Sequence, residues 1–254
     1  YRGTITHITS PAPNVRMDGA DAFGRMVLDF HRDEYDGSGR YRSHTGATRD
    51  GHPEWYFGAS FPPESESALD RVREVGGTVV DAGCGAGSHA VSLQRDGLEV
   101  VATDVSAGAL RVAHDRGVER LARADLRSLP VLADCVLLAG TQFGIGGSTE
   151  ALRETLATLT AATTEGGRVI ADLKDPFVVV EDHAAGREEL LDFDRDAGIA
   201  RRRMRTEYRG LAGPWLDLLC LTPEAARKTI RQTAWSVTEI IEGDGSRYFV
   251  VCDR

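Results

Sequence analysis

No run of apolar residues in this 254-residue chain approaches the roughly 20 residues that a helix needs to cross a bilayer, so a helical membrane protein is not expected. The opening residues, with Asn14, Arg16, Asp18 and Asp21, lack the apolar core of a signal peptide, and a cytoplasmic location is the expectation. Cysteine is scarce and scattered: Cys84, Cys135, Cys220 and Cys252 form no CxxC pair, and the histidines show no HxxxH or HExxH spacing. That pattern argues against a disulfide framework and against a metal site, and it reads the cysteines as small buried hydrophobes of a reducing compartment. An excess of positive charge is also missing. Lys plus Arg is 30, Asp plus Glu is 39, and the formal charge is −9. Phosphate-gripping surfaces are basic, so neither nucleic acid nor an anionic membrane is the expected partner, although a local basic pocket stays compatible. Aromatic residues nearly vanish from the middle of the chain. Between 79 and 175 only Phe143 occurs, whereas both flanks are rich in them.

What is present is the composition of a soluble protein with a sizeable core, 41% hydrophobic and 27% charged. The size admits one large domain, or one domain with an appendage. Phe23, Met26, Val27 and Phe30 share one helix face; a polar loop from Asp36 to His52, the cluster Trp55-Tyr56-Phe57 and Pro62-Pro63 follow. From 78 the period changes to short apolar runs that alternate with helical stretches. Thr78–Val80, Glu99–Thr103, Arg120–Ala124, Ala133–Leu138 and Arg168–Leu173 read as strands. Helices are expected through Ala90–Leu93, after the N-cap Ser106, and over Thr149–Ala162. Strands and helices alternating at these lengths make βαβ units and a parallel sheet covered on both faces. After Pro176, Ile199–Tyr208 can pair with Trp215–Leu221. Thr222-Pro223 opens a helix, and Trp235–Ile241 with Arg247–Cys252 forms a last hairpin around Gly243-Asp244-Gly245. The expected fold is α/β: a Rossmann-like, doubly wound, mostly parallel sheet with a C-terminal antiparallel hairpin and an N-terminal helical lid segment. The expected divisions are 1–75 for the lid, 76–176 for the cofactor core and 177–254 for strands and a helix that complete the sheet and an acceptor pocket.

Three acidic residues stand at successive strand ends. In Val79-Val80-Asp81-Ala82-Gly83-Cys84-Gly85-Ala86-Gly87 a strand reaches a carboxylate and then glycines at alternate positions, where backbone can approach a ligand before a helix begins. The dinucleotide fingerprint GxGxxG would place its third glycine at 88, where Ser88 stands. Asp81 beside a pyrophosphate would also set anion against anion, whereas it suits an ammonium or sulfonium. Asp104, followed by Val105, ends the second strand across the crevice and can accept from two ribose hydroxyls. Asp125, followed by Leu126, can accept from an adenine amino group.

These motifs resemble those of class I S-adenosylmethionine-dependent methyltransferases. VVDAGCGAGSHA is similar to their glycine-rich first motif, VVATDVS to the ribose motif and ADLRSLP to the adenine-side motif, over roughly residues 75–175. The resemblance implies S-adenosyl-L-methionine as cofactor. Gly83 and Gly85 would then line its methionine moiety with Asp81 close by, Asp104 and Val105 would hold the ribose, Asp125 and Leu126 the adenine edge, and Gly140 and Thr141 would border the methionine end. It also implies in-line attack by an acceptor O, N or C on the methyl group. An Arg-Tyr strand and the Thr-Pro-Glu helix start resemble actinobacterial and archaeal methyltransferases of unassigned substrate. The Asn/Asp-Pro-Pro-aromatic motif of base and glutamine methylation is absent, with Ala139–Phe143 in its place, which favours a small-molecule acceptor. Trp55, Tyr56, Gln142, Phe143 and Arg203 are candidate acceptor contacts. The Arg201–Arg205 patch could recognise a carboxylate or phosphate on one strand face, or could simply be a solvated face. His44, His52 and His183 are candidate general bases. A non-methylating binding protein and a nicotinamide-dependent oxidoreductase are the alternatives, and the oligomeric state, monomer or homodimer, stays open.

Overall fold

The computed structural model describes residues 20–58, 61–181 and 190–254. The chain enters through helix α1 (Ala22–His31), a hairpin of β1 (Arg40–Ser43) and β2 (Thr48–Asp50), a single 3-10 turn over Pro53–Phe57, and α2 (Pro63–Val75). The hairpin falls inside what the sequence reads as a polar loop. Its strands are short and carry no apolar alternation, and β1 is held by pairing with a strand more than 150 residues away, Tyr41 standing opposite Thr206.

The alternating unit follows as expected: β3 (Thr78–Ala82), α3 (Ser88–Arg95), β4 (Glu99–Asp104), α4 (Ala107–Asp115), β5 (Leu121–Arg123), β6 (Ala133–Leu138), α5 (Thr149–Ala162) and β7 (Thr163–Lys174). A short α6 (Pro176–Glu181) leads to β8 (Leu190–Asp194), β9 (Ile199–Tyr208), β10 (Leu211–Ala212), β11 (Leu216–Leu221), α7 (Pro223–Ile230), β12 (Ser236–Glu242) and β13 (Arg247–Asp253).

The main sheet has the order β12-β13-β7-β6-β3-β4-β5. Its five central and flanking strands β3 to β7 run parallel, and the hairpin β12–β13 closes one edge antiparallel to β7. Chain order therefore reverses between β3 and β6. At such a switch point the loops leave the carboxyl ends of the strands in opposite directions and open a crevice. Both faces are buried. Val80, Val136, Leu138 and Val169 pack under Leu152, Leu156 and Leu159 of α5 and Ile230 of α7. On the other face Val79, Val100, Leu137 and Ile170 pack under Leu69 and Val72 of α2 and Leu93 of α3. All four cysteines are buried free thiols, Cys84, Cys135 and Cys252 in these layers and Cys220 on β11 in a smaller cluster with Val179, Leu190 and Ala200.

A second, antiparallel sheet is built on β9, with β11 and β10 along one edge and β8 and the β1–β2 hairpin along the other. It stands over the carboxyl ends of the main strands. Residue parity separates its faces: Ala200, Arg202 and Tyr208 are buried, while Arg201, Arg203 and Arg205 look outward to acidic partners.

The entering segment is fastened to the main domain where α1 crosses α4. Asp21 caps α1 through Gly24 N (2.8 Å), and its other oxygen accepts from Ser106 Oγ (2.9 Å) and Gly108 N (3.1 Å) at the start of α4. One carboxylate thus serves two helix N-termini, where backbone N–H groups lack intrahelical acceptors. The approach is so close that a Cβ on Gly108 would lie 2.5 Å from the Gly24 carbonyl carbon. In an open helix Gly→Ala stabilises by about 1 kcal/mol. Here Gly108→Ala should instead cost about 1–3 kcal/mol through overpacking. The expected readouts are a lower Tm and new protease cleavage within residues 20–58.

Candidate active site

The glycine loop is shaped by backbone that only glycine adopts freely. Gly83, Gly85 and Gly87 have φ of 79°, 54° and 78°. The N–H groups of Gly83 and Cys84 both donate to Thr103 O of β4 (2.8 and 2.9 Å), which folds the loop back over the β3–β4 edge. A Cβ on Gly83 would run into the Gln142 side chain at 2.5 Å, and one on Gly87 into Val118 at 2.7 Å. The first position keeps a cradle open, and the last lets α3 pack.

Asp81, at the end of β3, is 1% exposed and its Oδ2 has no hydrogen-bond partner. Burial pushes its carboxyl up to about 7, and the nearby Asp104 charge acts in the same direction while the Ala90 N–H opposes it. A buried carboxylate oxygen without a donor is a costly arrangement that a cationic ligand would relieve. Asp104 is better supplied: its oxygens accept from Gly85 N (2.9 Å) and Ser106 N (2.8 Å). A carboxylate offers about four lone-pair positions, so two remain for hydroxyls. Burial nonetheless raises its pKa, against the pull of those N–H groups. Val105 follows, its carbonyl taken by Arg123 Nε (2.9 Å). Asp125 chelates Arg127 through both oxygens (2.9 and 3.0 Å), and that guanidinium holds its carboxyl below the usual range. Leu126 packs partly buried on the core beside it.

Tyr56 covers this loop. Its ring lies 3.7 Å from where a Cβ on Gly85 would stand, it meets Phe23 edge-on at 4.9 Å, and its hydroxyl reaches the Tyr41 hydroxyl at 2.9 Å. Gly140, with φ 87°, faces open space. Thr141 takes φ 67°, a left-handed conformation that is strained for a β-branched residue. It is held there by its N–H on Asp172 Oδ1 (2.6 Å) and its hydroxyl on Gly140 O (2.6 Å).

Several expected acceptor contacts are displaced. Phe143 is fully buried in the core with α5, so its aromatic ring is structural. Trp55 turns outward, 71% exposed, and stacks on His52 at 4.4 Å; the wall is formed by its neighbour Tyr56 alone. His52 bonds to Glu54 (2.9 Å) on the same exposed turn. His44 sits in the β1–β2 turn with its N–H on Arg203 O (3.0 Å) and Nδ1 buried without a partner. Neither histidine has a hydrogen-bond partner in the glycine loop, and His183 lies outside the described residues. Arg203 pairs twice with Asp217 (both 2.7 Å) on the outward face of the second sheet. The arginine that faces inward is Arg202, 6% exposed. Ala200, Met204 and Tyr208 share its parity, the signal in the sequence that this face, and not that of Arg201, Arg203 and Arg205, turns to the interior.

Arg202 shares a small recess of about 10 Å³ with Thr141, Asp172, Lys174, Leu218 and Cys220, between the carboxyl end of β7 and the second sheet. Asp172 is fully buried; Arg247 of β13 approaches its Oδ2 at 3.3 Å, and no hydrogen bond reaches that atom. His89, in the first turn of α3, was not singled out by the sequence. It stacks on Phe61 at 4.6 Å, and burial with the Arg247 charge lowers its pKa to about 4, so it is neutral near pH 7. Among the described residues no helix is long and apolar enough to cross a membrane, and no cluster of side chains suits a metal ion.

Residues 79–167, from the first acidic strand end to the start of β7, match the family model described as methyltransferase domain. The likeness in fold extends further. An S-adenosylmethionine-dependent methyltransferase from Bacteroides fragilis, solved with S-adenosyl-L-homocysteine, superposes with a TM-score of 0.78 at 22% identity, covering 94% of this chain and 98% of that one. A sugar N-methyltransferase from a Streptoalloteichus species gives 0.55 at 15% identity, covering 81% and 94%. An amino pentose methyltransferase from Micromonospora echinaspora, involved in calicheamicin biosynthesis and solved with S-adenosylmethionine, gives 0.52 at 19%, covering 79% and 94%. No curated protein matches the chain.

Proposed function

We propose that the chain, built around this methyltransferase domain, binds S-adenosylmethionine across the glycine loop and directs its methyl group to a small-molecule acceptor. The observation that carries this reading is Asp81, a buried carboxylate with an oxygen that lacks a donor beneath a left-handed glycine cradle. A pyrophosphate there would add a second anion, whereas an ammonium supplies the missing donor and the missing charge. The sugar and amino pentose acceptors named for two proteins of similar fold support a small-molecule acceptor.

The bound cofactor supplies an electrophilic methyl group on a sulfonium, open to in-line attack by an O, N or C nucleophile. The rest is the work of the chain's own residues. Asp104 offers its two remaining lone-pair positions to ribose hydroxyls with Val105 beside it, and Asp125 and Leu126 border the adenine. Gly83, Gly85, Gly140 and Thr141 leave room for the methionine end. Tyr56, with Phe23 and Tyr41, closes the loop from above and keeps water out. Holding two reactants in attack geometry is the largest contribution such a site can make, about 7–11 kcal/mol of barrier at best.

Asp81 gives the reading a pH signature. In the free protein its carboxyl keeps a proton up to about pH 7, while an unfolded chain releases it near 3.8. The folded state thus binds more protons between those values, and its stability falls as pH rises through that window. A cationic ligand reverses the preference by favouring the ionised form. S-adenosylmethionine should therefore bind about tenfold more tightly at pH 7.5 than at pH 6, with proton release detectable by calorimetry in buffers of different ionisation enthalpy. Asp81→Asn should bind weakly and with no such dependence. Affinity that is flat from pH 6 to 7.5 in the unaltered protein would remove Asp81 from the cofactor's surroundings.

A further inference from the structure

Two of the carboxylates that a bound cofactor must reach lie under cover. Asp81 is 1% exposed and Asp104 is 8% exposed. Gly85, whose N–H binds Asp104, has the Tyr56 ring and the Phe23 ring each 3.7 Å from where a Cβ would stand. A nucleoside therefore reaches this loop only when the cover moves. Much of the cover is the single 3-10 turn Pro53–Phe57, and no side chain caps its start. So short a turn has little stability of its own, and outside contacts place it. The Tyr56 hydroxyl is held by Tyr41, and the Phe57 ring packs on Phe30 of α1 at 4.9 Å between centroids.

The backbone of the turn is held by an arginine and a serine. Arg116, at the C-terminal cap of α4, reaches both the turn and the glycine loop. Its Nη1 donates to Ala86 O (2.6 Å) and Ser88 Oγ (2.9 Å), and at longer range to Tyr56 O (3.3 Å). Its Nη2 donates to Phe57 O (3.4 Å), and the guanidinium lies over the Phe57 ring at 4.9 Å. Ser88 completes the clasp by donating its hydroxyl to Tyr56 O (2.5 Å). Arg111, on the same helix, shows the common alternative: it is exposed and paired with Asp115 at 3.0 Å. The acceptors of Arg116 are instead all neutral oxygens, two on the turn and two on the loop with the start of α3. Drawing a guanidinium out of water toward neutral partners is costly, and burial with the Arg95 charge lowers its pKa. What the contacts achieve is to tie one element to the other.

We propose that the turn Pro53–Phe57 is a gate over the cofactor site and that Arg116 is its latch, a positioning residue that sets how fast S-adenosylmethionine enters and S-adenosylhomocysteine leaves. The latch rests on the cofactor reading above and adds a kinetic role to it. It joins protein to protein, so it adds the same barrier to entry and to exit and leaves the affinity alone. Opening of such a cover, and not chemistry, limits turnover in many enzymes.

The test measures S-adenosylhomocysteine on the immobilised full chain by surface plasmon resonance, with Kd checked by calorimetry and the fold by a thermal melt. Arg116→Met should raise the association and dissociation rate constants together, each by about tenfold or more, the worth of one charge-assisted hydrogen bond. Kd should stay as in the unaltered protein. Ser88→Ala, a smaller change, should raise both rates by about threefold, within the range of a single neutral hydrogen bond, and it carries the test if Arg116→Met does not fold. Arg111→Met should leave both within about twofold, as for an exposed ion pair. A purely structural arginine would lower Tm and leave the rates unchanged, and an arginine touching the cofactor would raise dissociation alone and weaken Kd. Either result overturns the proposal, as does an equal rise in Arg111→Met. Entry into the unaltered protein at the diffusional ceiling, about 10⁸ M⁻¹s⁻¹, overturns it too. Binding whose rates ignore both Arg116 and Ser88 sinks only this inference, and absent binding in the unaltered protein sinks the cofactor reading and the latch with it.

Discussion

Replacing Asp104 by asparagine is expected to weaken S-adenosylmethionine binding about 100-fold, the equivalent of losing one strong charge-assisted hydrogen bond of about 3 kcal/mol. The carboxylate at the end of β4 already serves Gly85 N and Ser106 N, and both ribose hydroxyls must share what is left of it. Asparagine brings a single oxygen, and its NH₂ must face one of the two backbone donors or one of the hydroxyls. The side-chain shape is preserved, so the fold should survive with a modest fall in Tm, about 2–4 °C for each kcal/mol lost in a chain of this size. Isothermal calorimetry reads the affinity and a thermal melt reads the fold. An unchanged Kd in a folded variant would falsify the ribose assignment.

The second large effect concerns stability alone. Trp235 is among the largest fully buried side chains, and its indole N–H reaches Leu156 O (3.0 Å) and Thr160 Oγ1 (2.9 Å) on α5. It lies in the core layer shared by α5, α7 and the C-terminal hairpin. Trp235→Ala should lower the unfolding free energy by about 3–5 kcal/mol, from lost burial plus the cavity left behind. That is a large share of the 5–15 kcal/mol that usually separates folded from unfolded chains. Trp235→Phe keeps most of the volume and should cost much less, about 1–2 kcal/mol, chiefly the hydrogen bond. Urea unfolding distinguishes the two. Cofactor affinity in Trp235→Phe should match that of the unaltered protein, because this residue packs on the face of the sheet under α5 and not at the strand ends.

How much of this was legible beforehand depended on the range of the forces involved. The glycine loop could be read because its signals are local: a strand end, a carboxylate and glycines at fixed offsets, each restricting its own backbone. The main sheet followed from the same alternation of short apolar runs and helical stretches. The β1–β2 hairpin could not be read, since Arg40–Ser43 gains its strand pairing from Ser43–Arg40 meeting Met204–Glu207, at the far end of the chain. The arginine run shows the same limit more finely. Alternation announces two faces, and only the weak apolar signal of Ala200, Met204 and Tyr208 marks the inward one, which took Arg202 in and left Arg203 with Asp217. Phe143 was misplaced for a related reason. A solitary aromatic in a loop after β6 invites a binding role, but a neighbouring chain bend put its ring under α5.

Ser106 has two acidic partners, and they belong to different parts of the molecule. Its N–H is bound by Asp104, while its hydroxyl is bound by Asp21 at the head of α1. Occupancy of the ribose site and docking of the entering segment therefore draw on one residue, and any coupling carried through it would by linkage act equally in both directions. A nucleoside seated on Asp104 would slow the peeling away of α1, and a detached α1 would shorten the nucleoside's residence. α1 also reaches the glycine loop itself, since Phe23 stands 3.7 Å from where a Cβ on Gly85 would be, so the head of this helix borders the site by two routes.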